Sequence, residues 1–219
     1  MKKQQLIVAA SLLALVATFL IGARVYEQHR AAQVGMLAEQ NFDTFVRPHS
    51  QVLGSAEAKV SLVEFTDPAC ETCAAFSPFV KKLLATYPNK LKLVVRYAPF
   101  HHGSDAVVGL LHASSKQGKF WEALDIMYKT QAAWASHHQP RPELVWNFVA
   151  EAGFDMERLN KDLGDLEIQK VIQQDVADGR ALGVTKTPGF FVNGKALVNF
   201  GYQELEQLVA AQIAASYPD

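Results

Sequence analysis

The two cysteines of the chain are its only ones, and they stand as the pair Cys70-x-x-Cys73. An apolar run, Val60 to Phe65, precedes the pair, and apolar residues follow it at helical spacing. Cys70 is therefore predicted to lie where a strand ends and a helix begins. The free N–H groups and partial positive charge of a helix N-terminus favour a thiolate. This position predicts Cys70 as the nucleophile and Cys73, one helical turn later, as the resolving thiol.

Two other interpretations of the cysteine pair stay open. A zinc site needs two further ligands, and only histidines are candidates, either His101 with His102 or His137 with His138. Adjacent histidines on a regular element point apart, which makes joint coordination awkward. A permanent structural disulfide would restrict the unfolded chain little, because it closes so short a loop. Redox chemistry is the prediction, since Cys-x-x-Cys beside a βαβ pattern is its usual setting. No metal and no other cofactor is expected.

The N-terminus has the pattern of a membrane-targeting segment. Residues 1–5 carry two lysines, and residues 6–23 are 18 residues without a charge. The apolar part of a signal peptide usually has about 7–15 residues, whereas a spanning helix needs about 17–25. We expect a cytoplasmic segment over 1–5 and an uncleaved signal anchor over 6–23. The alternative is a cleaved signal peptide that ends in the small residues of Ile21-Gly22-Ala23. Both interpretations predict export of the remainder.

A βαβ unit is predicted after a polar linker. Residues 24–51 are expected to form a stalk and a first extended segment, and Val52–Ser55 is turn-like. The core strands are predicted over Lys59–Asp67 and Leu91–Tyr97, with the cysteine helix between them. A helix between two strands implies parallel pairing and a right-handed crossover. We expect the first part of the folded core to span 52–99.

Glu64 interrupts the first core strand between Val63 and Phe65. On an alternating strand it would face solvent, as glutamates usually do. On a central strand covered on both faces it would be buried, which is costly unless the carboxylate accepts the proton of Cys73. The residues alone leave these two interpretations equal.

The chain from 100 to 182 is predicted to be an all-helical insertion. The expected helices are Ser104–Gln117, Phe120–Ala135, Pro142–Ala152, Asp155–Leu163 and Leu166–Leu182. An Asn193-Gly194 turn between two short apolar runs then predicts a β-hairpin. With a final amphipathic helix over Gln203–Ala214, the second part of the core is expected to span 183–216.

This order of elements resembles a thioredoxin fold interrupted by a helical domain. It is similar to the DsbA family of exported thiol–disulfide oxidoreductases, over roughly Val60 to Ala214. The matching features are the Cys70–Cys73 pair after a strand, Glu64 six residues before Cys70, and Thr187-Pro188 before the Asn-Gly hairpin. The expected fold class is α/β, a thioredoxin fold with an inserted helical domain after an N-terminal transmembrane or signal-anchor helix.

The resemblance implies a role for each matching residue. Cys70 would form the mixed disulfide and Cys73 would resolve it. Pro188 would be cis and lie against the cysteines, where the backbone of Thr187 pairs with an extended substrate peptide. Glu64 would be the buried acid beneath the cysteines.

The residues between the cysteines depart from the family pattern. Strongly oxidising members have Pro-His there, whereas this chain has Glu71 and Thr72. A carboxylate next to Cys70 opposes thiolate formation. Because a less stabilised thiolate gives a less oxidising disulfide, we expect a milder potential than that of the strong oxidases.

The predicted function is thiol–disulfide exchange with cysteine-containing proteins at the periplasmic or extracytoplasmic face of a bacterial inner membrane. A dithiol oxidase is favoured, because no clear dimerisation module is present; it would need a quinone-linked membrane oxidase as partner. An isomerase or reductase, kept reduced by a membrane reductant, is the alternative. A non-catalytic thioredoxin-like chaperone is disfavoured by the joint presence of the matching residues. The formal net charge of −1 argues against a nucleic-acid partner.

Overall fold

The computed structural model of the protein describes residues 2–40, 44–135 and 140–218. The strands are β1 (Gln51–Gly54), β2 (Val60–Thr66), β3 (Leu91–Tyr97), β4 (Gly189–Val192) and β5 (Lys195–Ala196). The helices are α1 (Lys2–Gln40), α2 (Glu71–Thr86), α3 (Ser104–Ser115), α4 (Phe120–Lys129), α5 (Gln131–Trp134), α6 (Pro142–Glu151), α7 (Met156–Leu163), α8 (Leu166–Ala181) and α9 (Tyr202–Ser216). Helices α3 to α8 follow one another between β3 and β4, in agreement with the predicted fold class.

One five-stranded sheet has the order β1-β3-β2-β4-β5. The central strands β2 and β3 are parallel, with Val60 opposite Leu91. Helix α2 makes the crossover that a parallel pair requires. Strand β4 runs antiparallel to β2, with Leu62 opposite Val192, and turns back into β5. The predicted parallel pair and the predicted hairpin are both confirmed.

Strand β1 corrects one expectation. The prediction of a turn-like segment over Val52–Ser55 is wrong. The chain forms a strand there, which pairs antiparallel with β3 from Gln51, opposite Val95, to Gly54. Gly54 has a φ of 112° and packs so closely that a Cβ atom there would lie 3.0 Å from the Leu91 carbonyl oxygen. The glycine therefore ends a strand. Pairing with a neighbouring strand outweighs the local turn signal.

The helix predicted over Phe120–Ala135 is broken in the structure. It divides at Thr130 into α4 and the short α5. The Thr130 hydroxyl donates to the Ile126 carbonyl oxygen at 2.7 Å, and the Thr130 backbone has φ −98° and ψ 2°. Side chains that bond nearby carbonyls offer the backbone an alternative to the continued helix. The break turns α5 toward the loop that precedes α2.

Strand β2 is buried on both faces, which explains its nearly continuous apolar sequence. Val60 and Leu62 pack into the larger core, which includes residues of α2, α9 and the helical insertion. Val63 and Phe65 pack into a smaller cluster on the opposite face. Because side chains alternate along a strand, Glu64 shares the face of Leu62, beneath α2.

Helix α1 contains a stretch that is apolar enough to cross a membrane. Lys3–Tyr26 comprises 24 residues and includes an 18-residue window whose mean hydropathy is 2.6. By length and composition alone this stretch could cross a bilayer, and it contains the predicted span 6–23. Its use as an anchor or as a signal sequence stays a prediction.

A buried charge cluster joins the end of β3, α8 and the chain before β1. Arg96 is fully buried and donates to Asp175 and Asp178, each at 2.6 Å. Arg47 donates two hydrogen bonds of 2.8 Å to Asp178, and the His49 ring lies 2.5 Å from Asp175. Burial acts to raise the pKa of Asp178, but the hydrogen bonds from these arginines and from Gln174 outweigh it and lower that pKa to about 2.

Candidate functional site

The cysteine pair lies at the boundary between β2 and α2. Cys70 is the N-terminal cap of α2, with extended backbone angles of φ −79° and ψ 117°. This conformation sets its sulfur beside the first N–H groups of the helix, which have no partner within it. Cys70 is 7% exposed, whereas Cys73 is fully buried, and both are free thiols. Only the Cys70 sulfur is therefore accessible to another molecule.

The surroundings of Cys70 favour its thiolate. The hydrogen bond with the Cys73 thiol has the largest effect on the pKa of Cys70; burial opposes it. Further hydrogen bonds from the Thr187 side chain and the backbone N–H groups of Cys73 and Thr72 act in the same direction as the first. Together they lower the pKa of Cys70 to about 5. Cys70 is thus largely ionised at neutral pH.

Glu64 is a buried acid beneath the pair, so the solvent-facing alternative is wrong. It is 5% exposed, and its β2 position lies between Val95 and Phe190 of the neighbouring strands. Burial raises the pKa of Glu64 to about 7, although the Thr66 hydrogen bond lowers it and the Cys70 charge raises it further. Glu64 can therefore exchange a proton near neutral pH.

The surroundings of Cys73 disfavour its thiolate, whereas those of Cys70 favour the thiolate. Burial, and then the interactions with Cys70 and Glu64, raise the pKa of Cys73 well above its usual value. A free Cys73 thiolate is therefore strongly disfavoured. Any reaction that forms or consumes this thiolate needs a nearby group to exchange the proton. Glu64, whose pKa is about 7, is close enough for its charge to act on Cys73.

Two hydroxyl groups extend the polar cluster around Glu64. The Tyr128 hydroxyl lies 2.7 Å from the Thr66 hydroxyl. Burial, and then the charges of Glu64 and Cys73, raise the pKa of Tyr128 well above its usual value, so Tyr128 stays a neutral donor. Tyr128 belongs to α4, so the helical insertion contributes to the site. Sequence reasoning missed Tyr128, because no spacing links it to the cysteines.

Asp67 holds the loop before Cys70 and was also missed. It is fully buried. One carboxylate oxygen accepts from the Ala69 N–H at 2.9 Å, and the other accepts from the Ser104 hydroxyl at 3.0 Å and lies 2.8 Å from His101 Nδ1. The Cys70 N–H donates to the Asp67 carbonyl oxygen at 2.9 Å. An acid directly after a core strand was the available signal for this role.

The histidines of the zinc interpretation occupy different positions. The His101 ring pairs with Asp67, and the neighbouring His102 is exposed. His137 and His138 lie outside the described residues. His101 thus approaches the loop before the cysteines through Asp67, in a hydrogen-bonded pair.

Thr187 and Pro188 lie against Cys70. The peptide bond between them is cis, as the resemblance implies. The Cys70 sulfur is 3.4 Å from the Thr187 carbonyl oxygen. The structure therefore brings together Cys70, Cys73, Glu64 and the Thr187-Pro188 backbone. Glu71 and Thr72, between the cysteines, are both exposed.

The raised pKa of Glu64 predicts a pH-dependent stability. The folded state holds the Glu64 proton up to pH about 7, whereas the unfolded chain releases it near 4.5. The stability that this group contributes is present below pH 4.5 and is lost as pH rises through about 7. From pH 4 to pH 8 the dithiol wild type should lose about 3 kcal/mol relative to Glu64→Gln.

Urea unfolding of both proteins across this pH range measures the difference. Glu57→Gln, which removes an exposed carboxylate between β1 and β2, is the control and should follow the wild-type profile. Parallel stability curves for wild type and Glu64→Gln would contradict the buried-acid assignment.

Comparisons with known proteins agree with this geometry. The family model described as thioredoxin matches residues 47–211. The Na⁺/H⁺ antiporter NhaA of Herminiimonas arsenicoxydans is 30% identical over 168 residues, which are 77% of this chain and 26% of that protein. The chain thus spans about a quarter of that antiporter's length.

Two further proteins are similar along most of their own length. The probable disulfide bond formation protein D of Bacillus anthracis is 27% identical over 179 residues, which are 78% of this chain and 82% of that protein. The thiol-disulfide exchange protein alpha-DsbA2 of Wolbachia pipientis has a TM-score of 0.70 at 22% identity, over 84% of this chain and 98% of that chain. At this identity the second likeness concerns the fold. The predicted resemblance is confirmed: the chain belongs to the thioredoxin family and shares the fold of its DsbA-like thiol–disulfide oxidoreductases.

Proposed function

We propose that this protein is an exported thiol–disulfide oxidoreductase that oxidises the thiols of other proteins through Cys70 and Cys73. The observation that carries the proposal is the asymmetry of the pair. Cys70 is accessible and its pKa is lowered to about 5, whereas the pKa of the buried Cys73 is raised. This asymmetry suits a pair in which one sulfur meets the substrate and the other reacts only within the protein.

The proposed reaction begins from the Cys70–Cys73 disulfide. A substrate thiolate attacks the Cys70 sulfur, a mixed disulfide forms, and Cys73 leaves with the bond electrons and takes the proton of Glu64. A second substrate thiolate then attacks its own half of the mixed disulfide and releases the Cys70 thiolate. The substrate loses two electrons, which the cysteine pair gains, and two protons to solvent, one of which restores the proton of Glu64.

The stabilised Cys70 thiolate supports the oxidising direction. A group that is stabilised only in the dithiol form shifts the equilibrium toward that form, so the disulfide is a better oxidant. The Cys70 pKa of about 5 lies between the values of about 3.5 for a strong oxidase of this family and about 7 for thioredoxin. We therefore infer a potential milder than that of the strong oxidases.

Protein substrates fit the surface beside the cysteine helix. Phe76 of α2 stacks on Tyr202 with ring centroids 4.2 Å apart and packs on Phe200 at 4.8 Å. Tyr202 is 46% exposed and Phe200 is 37% exposed. An exposed aromatic surface of this kind binds apolar side chains of a partner chain. With the Thr187 carbonyl oxygen beside Cys70, it supports an extended polypeptide as substrate.

A membrane partner completes the proposed cycle. The dithiol left after each turnover needs an oxidant, and a quinone-linked membrane oxidase is the proposed one. An anchor over residues 6–23 would keep the protein at the same membrane, on the periplasmic or extracytoplasmic face. An isomerase or reductase would instead receive electrons from a membrane reductant.

The test mixes a reduced, unfolded substrate protein that has two cysteines with an equimolar amount of this protein in its disulfide form. We expect both substrate thiols to disappear as both thiols of the cysteine pair appear. A protein that leaves reduced substrate unchanged, yet rearranges a scrambled disulfide substrate in its dithiol form, would contradict the oxidase direction and indicate an isomerase.

Glu64 has a predicted kinetic role that can be measured without a protein substrate. An aromatic disulfide reagent reacts first with the Cys70 thiolate, and Cys73 then releases the second aromatic thiol. In the wild type the second phase should rise with pH up to about 7 and then level, because ionised Glu64 accepts the Cys73 proton. Glu64→Gln should slow this phase about 10²-fold near pH 7 and remove the levelling.

The first phase supplies an internal control, since it depends on Cys70 and should stay within about twofold of wild type. Glu71→Gln should retain the levelling near pH 7. An unchanged second phase in Glu64→Gln would exclude Glu64 as the proton acceptor.

A further inference from the structure

We propose that Gln131 of the helical insertion is a positioning residue that fixes the turn at Cys70 and thereby holds the N-terminus of α2 in the orientation that stabilises the Cys70 thiolate. The inference rests on the proposed function only for the meaning of that thiolate. It assigns to the insertion a direct part in tuning the redox pair.

The side chain of Gln131 bonds the turn that leads into Cys70. Its side-chain nitrogen donates to the Pro68 carbonyl oxygen at 2.7 Å and to the Cys70 carbonyl oxygen at 3.0 Å. Gln131 is 7% exposed, so these hydrogen bonds compete little with water. Both donors of the amide group are thus used on the two carbonyls that flank Ala69.

Hydrogen bonds at both ends of α5 hold the backbone that carries Gln131 in place. The Ala135 N–H donates to the Gln131 carbonyl oxygen at 2.7 Å. Trp134, at the other end of α5, is fully buried and donates from its ring nitrogen to the Met127 carbonyl oxygen at 3.0 Å. The break at Thr130 sets the direction of α5. The amide therefore reaches the Cys70 turn from a rigid support, as a positioning group must.

The Cys70 carbonyl connects this contact to the sulfur. It also accepts the Ala74 N–H at 3.2 Å, which is the first intrahelical bond of α2. Fixing this carbonyl fixes the peptide plane that leads into the helix. The backbone N–H groups of Thr72 and Cys73, which stabilise the Cys70 thiolate, lie two and three residues after Cys70. Without Gln131, the turn has more freedom and these donors are aligned less well.

The test compares Gln131→Met, which keeps the length of the side chain but donates no hydrogen bond, with the wild type. The readouts are the Cys70 pKa, from the ultraviolet absorbance of the thiolate, and the thiol–disulfide equilibrium with glutathione. We expect a thiolate about 3- to 10-fold less favoured in Gln131→Met, with the equilibrium moved toward the disulfide by a similar factor.

Gln117→Met is the matched control. Gln117 also lies in the insertion and also donates to a backbone carbonyl, that of Asp155, at 2.9 Å. It should leave both readouts unchanged. If Gln131→Met does not fold, Gln131→Asn replaces it; the shorter amide cannot reach both carbonyls and should raise the Cys70 pKa by a smaller amount.

Loss of thermal stability with an unchanged Cys70 pKa in these Gln131 variants would overturn the proposal and leave a purely structural contact. The outcome is independent of the proposed oxidase activity, because the pKa is read without any substrate. If the wild type does not oxidise the substrate, but Gln131→Met shows the expected pKa change, only the proposed function would be contradicted.

Discussion

Replacing Cys70 with serine is expected to reduce substrate thiol oxidation to the uncatalysed background, a loss of about 10³-fold or more. The reason is that Cys70 is the accessible sulfur and the one whose thiolate is stabilised. Cys73 is fully buried and its pKa is raised, so it cannot take over the attack on a substrate. The measurement is the rate of disulfide formation in a reduced protein substrate, with glutathione disulfide as oxidant.

Cys73→Ser is the matched variant, since it removes one sulfur of the same pair but keeps the nucleophile. It should also lose turnover, but should retain glutathione as a mixed disulfide on Cys70, which mass spectrometry detects. Cys70→Ser should carry no such adduct. Turnover that survives in Cys70→Ser would contradict the assigned nucleophile. If the wild type shows no turnover, but both it and Cys70→Ser suppress aggregation of an unfolded protein, the chaperone alternative would be indicated.

Arg96→Met is expected to lower the free energy of unfolding by about 3–5 kcal/mol. Arg96 is fully buried, and its guanidinium donates to Asp175, Asp178 and the Thr44 carbonyl oxygen. Methionine fills a similar volume but leaves two carboxylates in the interior with fewer partners, and an uncompensated buried charge is costly. Chemical unfolding of both proteins at neutral pH measures the difference.

Arg47→Met is the control for this prediction. Arg47 also pairs with Asp178, but its side chain is 31% exposed, so its removal should cost only about 1 kcal/mol. The pKa of Asp178, lowered to about 2, adds a pH dependence. The stability that ionised Asp178 contributes is present above pH about 4 and is lost as pH falls toward 2. The difference in free energy of unfolding between wild type and Arg96→Met should therefore become smaller over that range. A loss below about 1 kcal/mol in Arg96→Met at neutral pH would contradict the assigned role of the cluster.

The features that could be predicted from the sequence are those with a local pattern. The parallel pair of strands, the cysteine helix and the Asn-Gly hairpin each have a periodicity or a turn signal of their own. Cys70 at the start of α2 followed from the boundary between two such patterns. The position of Glu64 beneath the pair followed from the resemblance, because its residue pattern alone fitted a solvent-facing side chain equally well.

The features that could not be predicted depend on contacts between distant segments. Strand β1 has a weak local signal and exists because β3 offers a pairing edge. The break at Thr130 interrupts a sequence that is helical on both sides of it. Gln131 and Tyr128 reach the site only because the insertion folds back onto the loop before α2, and no spacing in the sequence encodes that approach. Arg96 lies on β3, and the two carboxylates that it pairs with come from α8, far along the chain.

The measurement that tests the central claim most directly is the redox state of Cys70 and Cys73 in intact cells. Thiols are trapped by acid and labelled with a reagent that adds mass, so that dithiol and disulfide forms separate on a gel. An oxidase that a membrane partner regenerates should be found mostly as the disulfide. A protein found mostly as the dithiol would contradict the oxidase account and indicate an isomerase or reductase supplied with electrons.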